Sequence, residues 1–245
     1  MKRIILLSII ICSLALALEN TALNMRVPSG LEQKQLYFEI QHRIKGKIKS
    51  GSIGLGNGAD VAVGLRYCVL KNIDINTSWI RDRKEYLIGA SYKYYISKAM
   101  LKSQIDVQFF SYEKLPLPRR QNFFYLFSLQ ADPLGGKFSP LVNFGYDGYN
   151  QKFGLGLGGD LAFNFSFGPI ESIGLIGEYY PVLDRDSISN GPKNTFAAGL
   201  KLNTYLHQFI FLAGNNYDIG PRRLMLGALN NDFHFGFVVN RFQMF

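Results

Sequence analysis

Alternate positions near the N-terminus carry Tyr37, Glu39, Gln41, Arg43, Lys45, Lys47 and Lys49. Side chains two apart on a strand share a face, so this row would place four cations along one wall. Asp60, Arg66, Asp106, Asp160, Glu178 and Lys201 fall on the matching polar parity of later segments. The chemistry open to such a set is electrostatic: charges around an aqueous path select ions by sign. Read so, these residues line a net-basic pore that favours anions, with Arg43, Lys45, Lys47, Arg66 and Lys201 setting its potential. A second reading fits the same residues. Glu39, Asp60 and Glu178 would pair with Arg66 and Lys201 as a network filling a small barrel, and Arg43 to Lys49 would be a solvated rim.

Covalent chemistry has less to stand on. A lipase needs a serine, a histidine and an orienting polar residue within hydrogen-bond reach. The three histidines, His42, His207 and His234, lie outside any Gly-x-Ser-x-Gly setting and read as packed or interfacial. Zinc-type ligand spacing does not occur. The glycines at 154–159 recur at strand period, which argues against a phosphate loop. The expectation is a chain without catalytic residues, metal or cofactor. Nucleic acid is an improbable partner for basic residues facing into a barrel with no recognition motif.

The elements that must hold these residues are strands. In 153–165, Phe153, Leu155, Leu157, Leu161, Phe163 and Phe165 share one parity, while Gly154, Gly156, Gly158, Asp160, Ala162 and Asn164 share the other. Similar alternation recurs from Leu36 onwards, weakening at 122–130 and 139–146, and gives about twelve strands. Basic side chains on a lipid face would cost about 2–4 kcal/mol each at the midplane, which puts the polar parity inside. If the first strand runs outward, connections at 50–58, 81–84, 113–121, 147–151, 181–194 and 214–231 face outside. Those at 68–72, 95–101, 131–138, 166–171 and 204–206 are shorter on average and face the periplasm, the arrangement of outer-membrane barrels. The inward glycines leave room for something to occupy. Gly214–Asn231, with Arg222 and Arg223, is long enough to fold inward as a constriction, or to remain a surface loop.

Met1-Lys2-Arg3, an apolar run from Ile4 to Leu18 and the small-residue exit Ala15-Leu16-Ala17 describe a secretory signal over 1–17. Residues 18–34 then form a periplasmic lead-in, and 35–245 the barrel. Removing the signal lowers the 27 basic residues by two against 18 acids, a mature charge of about +7. Cys68 becomes the one thiol and reads as a small packed residue. Aromatic content of 14%, with 20 Phe and 14 Tyr, suits lipid-facing walls. Phe233, Phe235, Phe237 and Val239 share the parity of the terminal Phe245, a pattern that resembles the sorting signal read by barrel-insertion machinery. Arg241 and Gln243 interrupt it, and a bulge near Asn240 would return Phe242 and Met244 to the apolar face.

Four segments in order carry a family likeness: Pro28-Ser29-Gly30-Leu31 with Gln35 to Arg43; Gly54-Leu55-Gly56-Asn57-Gly58-Ala59 with Gly64-Leu65-Arg66-Tyr67; Gly177-Glu178-Tyr179-Tyr180-Pro181; and Leu200 to Phe209. Together they resemble an uncharacterised family of membrane-bound β-barrel domains. The resemblance implies an exported barrel and brings no catalytic residues with it. The expectation is an all-β, antiparallel up-and-down barrel in the outer membrane of a Gram-negative-type cell. It would contact lipid and pass small polar or anionic solutes, or else, without conducting, scaffold a periplasmic or surface partner.

Overall fold

The computed structural model describes residues 23–28, 31–50, 52–82, 84–96, 99–110, 121–131, 137–163, 165–183 and 192–244. The expected signal at 1–17, residues 113–120 of an expected outer connection and Phe245 lie outside them. Twelve strands close one barrel: β1 (Gln35–Lys47), β2 (Ala59–Leu70), β3 (Ile73–Ile80), β4 (Glu85–Ile96), β5 (Ala99–Phe110), β6 (Gln121–Ala131), β7 (Phe138–Asp147), β8 (Lys152–Phe163), β9 (Ile170–Tyr180), β10 (Thr195–Thr204), β11 (His207–Gly214) and β12 (His234–Met244). Each strand pairs antiparallel with its neighbours in sequence, and β12 closes on β1. Closure leaves no unpaired edge, the condition for strands in hydrocarbon. Connections such as 71–72 and 205–206 mark a short-turn end, while 48–58, 181–194 and 215–233 mark a loop end.

The apolar parity faces out. Ile75, Tyr86, Ile88, Tyr92, Phe153, Leu157 and Leu175 are all largely exposed, as a lipid-contacting band requires. The inside is not uniformly polar. Facing β1–β5 it carries mostly charges and amides. Facing β6–β12, polar residues such as Asn143, Asp160, Glu178 and Lys201 are interspersed with Phe124, Leu126, Leu141, Ile176, Ile210, Leu212 and Val238, packed on Leu23, Met25, Val27, Leu224 and Met225. Strands apolar on both faces lose their alternation, which accounts for the weak pattern at 122–130 and 139–146.

Two details depart from the sequence reading. β12 pairs with β1 in continuous register from Met244 to Gly236, with no bulge at Asn240. Phe242 therefore turns inward onto Tyr37, ring centroids 5.2 Å apart, and Arg241 lies outside. The irregularity falls instead between Arg43 and Lys47 on β1. There Gly46 meets Gly54 so closely that a Cβ on Gly46 would stand 2.2 Å from the Gly54 carbonyl oxygen.

Candidate functional site

The lumen is occupied by the chain itself. Residues 23–28 run along the inside of the barrel, and the long connection before β12 folds in as a short helix, α1 (Pro221–Met225), whose residues are all buried. The inward glycines of β8 make space for both. A Cβ on Gly154 would stand 2.4 Å from the Cβ of Met225, and one on Gly158 would stand 2.7 Å from the sulfur of Met25. The connection at 214–231 is thus an inward constriction.

Polar contacts hold segment 23–28 in place. The backbone N–H groups of Leu23, Asn24 and Met25 donate to Glu178 Oε1 at 2.7, 2.7 and 2.8 Å. Tyr180 Oη and Asn24 Nδ2 donate to the other carboxylate oxygen. Arg43, 1% exposed, donates to Asn24 Oδ1 at 2.8 Å. Asn143 accepts from Arg26 N and donates to Arg26 O, pairing as a strand residue would. At the loop end, α1 is pinned by Arg222 to Glu85 and Asp147 and by Arg223 to Glu85.

Ten of the expected lining residues lie inside and buried: Tyr37, Glu39, Gln41, Arg43, Asp60, Arg66, Asp106, Asp160, Glu178 and Lys201. Lys45 and Lys47 do not join them. Within and beyond the register shift they stand at the loop-end rim, bonded to Asp82 at 2.5 Å and Asp232 at 2.7 Å. Arg66 is bonded to Asp74, and Lys201 to Asp160. Among the described residues the interior cations Arg26, Arg43, Arg66, Lys93, Lys102, Lys201, Arg222 and Arg223 are equal in number to the carboxylates Glu39, Asp60, Asp74, Glu85, Asp106, Asp147, Asp160 and Glu178. The lumen is charge-balanced rather than net basic.

Several of these were not singled out in the sequence. Arg26 sits in the lead-in, which has no periodic pattern. Lys102 falls just past the expected turn at 95–101, outside the alternation recognised for that strand, yet β5 begins at Ala99. Extending the parity of Gln108, Asp106 and Gln104 back by one step would have found it.

Two cavities remain along the β1–β5 wall. One lies towards the short-turn end, between Tyr37, Glu39, Arg66, Asn76, Lys102 and Gln104. The other lies towards the loop end under α1, between Gln41, Glu85, Asp106, Gln108, Arg222 and Arg223. Arg26, Glu39, Gly64 and Ser78 line both, so they form the neck between them. Arg26 Nη1 stands 3.5 Å from Glu39 Oε1 across that neck.

The histidines stand in separate aromatic contacts: His42 stacks on Phe237, His207 on Phe209, and His234 meets the edge of Tyr217.

The profile of a family described as "Membrane bound beta barrel domain (DUF5777)" matches residues 121–243. No curated protein matches the chain. Solved barrels are similar in fold at low identity. The outer membrane protein Omp33 of Acinetobacter baumannii is 10% identical at a TM-score of 0.47, with 87% of this chain and 99% of that one covered. An outer membrane channel of Pseudomonas putida F1 is 11% identical at 0.45, covering 87% and 97%. Outer membrane phospholipase A of Escherichia coli is 12% identical at 0.42, covering 94% and 96%.

Proposed function

The chain belongs to the family of membrane bound beta barrel domains and is an outer-membrane β-barrel, and from that premise we propose that it is a narrow, internally gated conduit for small polar or anionic solutes. The observation that carries this reading is the pair of cavities in series along one wall, with the Arg26–Glu39 ion pair where they meet. Short turns face the periplasm in such barrels, so the cavity at the short-turn end would lie on the periplasmic side and the one beneath α1 under the outer loops. At the neck, Gly64 and Ser78 contribute almost no bulk. What closes it is Arg26, on a segment held by hydrogen bonds to Glu178, Arg43 and Asn143 and by the packing of Leu23, Met25 and Val27. Displacing residues 23–28 would join the cavities. The outward band contacts membrane lipid, and β12, closing the barrel, would be the strand offered to insertion machinery. The histidines' separate aromatic contacts support a non-enzymatic reading.

A competing reading has one observation in its favour: the interior charges balance and are almost all buried, as in a filled, non-conducting scaffold for a periplasmic or surface partner. Single-channel recording in a planar bilayer separates the two. Compare the refolded protein with a variant lacking residues 23–28, under a salt gradient. The conduit reading expects small or rare openings from the first and large, steady ones from the second. Silence from both, in protein proven to be folded, would sink it.

A further inference from the structure

We infer that the periplasmic-side cavity is a binding site for a small inorganic oxyanion of phosphate or sulfate type, with Lys102 as its principal counter-charge. Lys102 is 1% exposed and lines the cavity. Among the described residues it has no hydrogen-bond or ion-pair partner. Its neighbours explain why no carboxylate serves it. Lys93 stands directly opposite on β4, in register with Lys102. Lys93 takes Asp74 Oδ1 at 3.0 Å and the Leu31 carbonyl at 2.9 Å, and the same Asp74 is bonded to Arg66. Asp106, two steps along β5 from Gln104, is held by the amides of Asn76 and Gln104 and lines the outer cavity instead. Glu39 is taken by Tyr37, Gln41 and Arg26.

A buried ammonium without a counter-charge is unstable as a cation, and like charges facing across a ladder make it worse. An anion beside Lys102 removes both penalties. Arg26 and Arg66 line the same cavity, so three cations face it against the one carboxylate of Glu39. They come from β5, β2 and the lumen segment. Donors converging from three elements suit a multi-oxygen anion better than a halide, and guanidinium forks match oxyanion edges.

This inference deepens the conduit reading and rests on the cavity that reading uses, but its test measures binding, not current. Inorganic phosphate is titrated into the refolded, detergent-solubilised protein by calorimetry, with sulfate and chloride as comparison ions. Saturable phosphate or sulfate binding is expected, weakened roughly 10- to 100-fold in Lys102→Gln. Lys102→Arg, which keeps the charge, is expected to retain it, and Lys71→Gln in the exposed turn to leave it unchanged. Circular dichroism and heat-modifiable gel mobility establish that each variant is folded. Absence of binding by the folded wild type, equal binding by Lys102→Gln, or chloride binding as tight as phosphate would each overturn the assignment. If Lys102→Gln fails to fold, Lys102→Met takes its place with the same expectation. Binding with no conductance would remove the conduit and leave the anion site standing.

Discussion

Arg26 Nη1 lies 3.5 Å from Glu39 Oε1, and this contact joins a lumen segment to the barrel wall where two cavities meet. Glu39 keeps further partners in Tyr37 Oη at 2.9 Å and Gln41 Nε2 at 2.7 Å. The carboxylate is thus fixed to the wall, whereas the guanidinium is carried by the lumen segment. Under the conduit reading, the neck would open by losing the guanidinium.

Replacing Arg26 with alanine should therefore widen the neck and expose a fixed negative charge in it. Single-channel conductance should rise, and the reversal potential in a salt gradient should move towards cations. Losing a partner of a largely buried pair is costly, about 3–5 kcal/mol in fully buried cases. The expected loss is nearer the lower end, because Tyr37 and Gln41 remain. An unchanged reversal potential would mean that ions do not pass Glu39.

Gly64 tests the same neck from the wall. A Cβ there would stand 3.8 Å from Glu39 and from the Ser78 Cβ, an ordinary contact. Gly64→Ala should fold and conduct almost as the wild type. Gly64→Leu should fold and lose current by an order of magnitude or more, because its side chain projects into the neck. Equal currents in the two would place the path elsewhere.

Glu178 anchors the segment by accepting three backbone N–H groups on one oxygen. Glu178→Gln keeps the shape but gives up charge-assisted bonds, a loss on the order of 2–3 kcal/mol. With Cys68→Ser and Met25→Cys in the background, a small maleimide should label position 25 slowly in the parent and at least tenfold faster with Glu178→Gln. Equal rates would show that the carboxylate does not hold the segment.

Strand order, closure and the inward parity were legible because each strand writes its pattern in its own residues. What fills the lumen was not. Leu23, Met25 and Val27 alternate for three residues only, too short a run to mark a strand, and their partners lie on β6–β12. The glycines of β8 signalled room without naming Met25 and Met225 as its occupants. The basic row failed at Lys45 because a bulge, set by the close approach of Gly46 to Gly54, ended the parity that began at Tyr37. Charge balance was also out of reach, since Glu85 and Asp147 find their partners on the distant helix α1.

The bulge has its own consequence. Lys47 is about half exposed and Lys45 a third, each beside an aspartate at the rim. Exposed pairs contribute about 0–1 kcal/mol and are screened by salt. The double reversal Lys45→Glu, Lys47→Glu should leave stability within about 1 kcal/mol. It should shift ion selectivity only at low ionic strength, and less than Arg26→Ala does. A large shift persisting in molar salt would put these lysines in the conducting path.

The outer constriction can be tested through the glycine beneath it. Met225 packs on Gly154 so tightly that any side chain there must displace α1, and α1 carries Arg222 and Arg223 away from Glu85 and Asp147. Both arginines are buried in the folded protein, so trypsin should not reach them. In Gly154→Leu, cleavage after Arg222 or Arg223 should be at least tenfold faster in intact barrels, with β-sheet content unchanged. A variant that stays resistant while folded would mean that Met225 repacks without releasing the loop. In that event the arginine pairs with Glu85, rather than the methionine seat, hold the constriction in place.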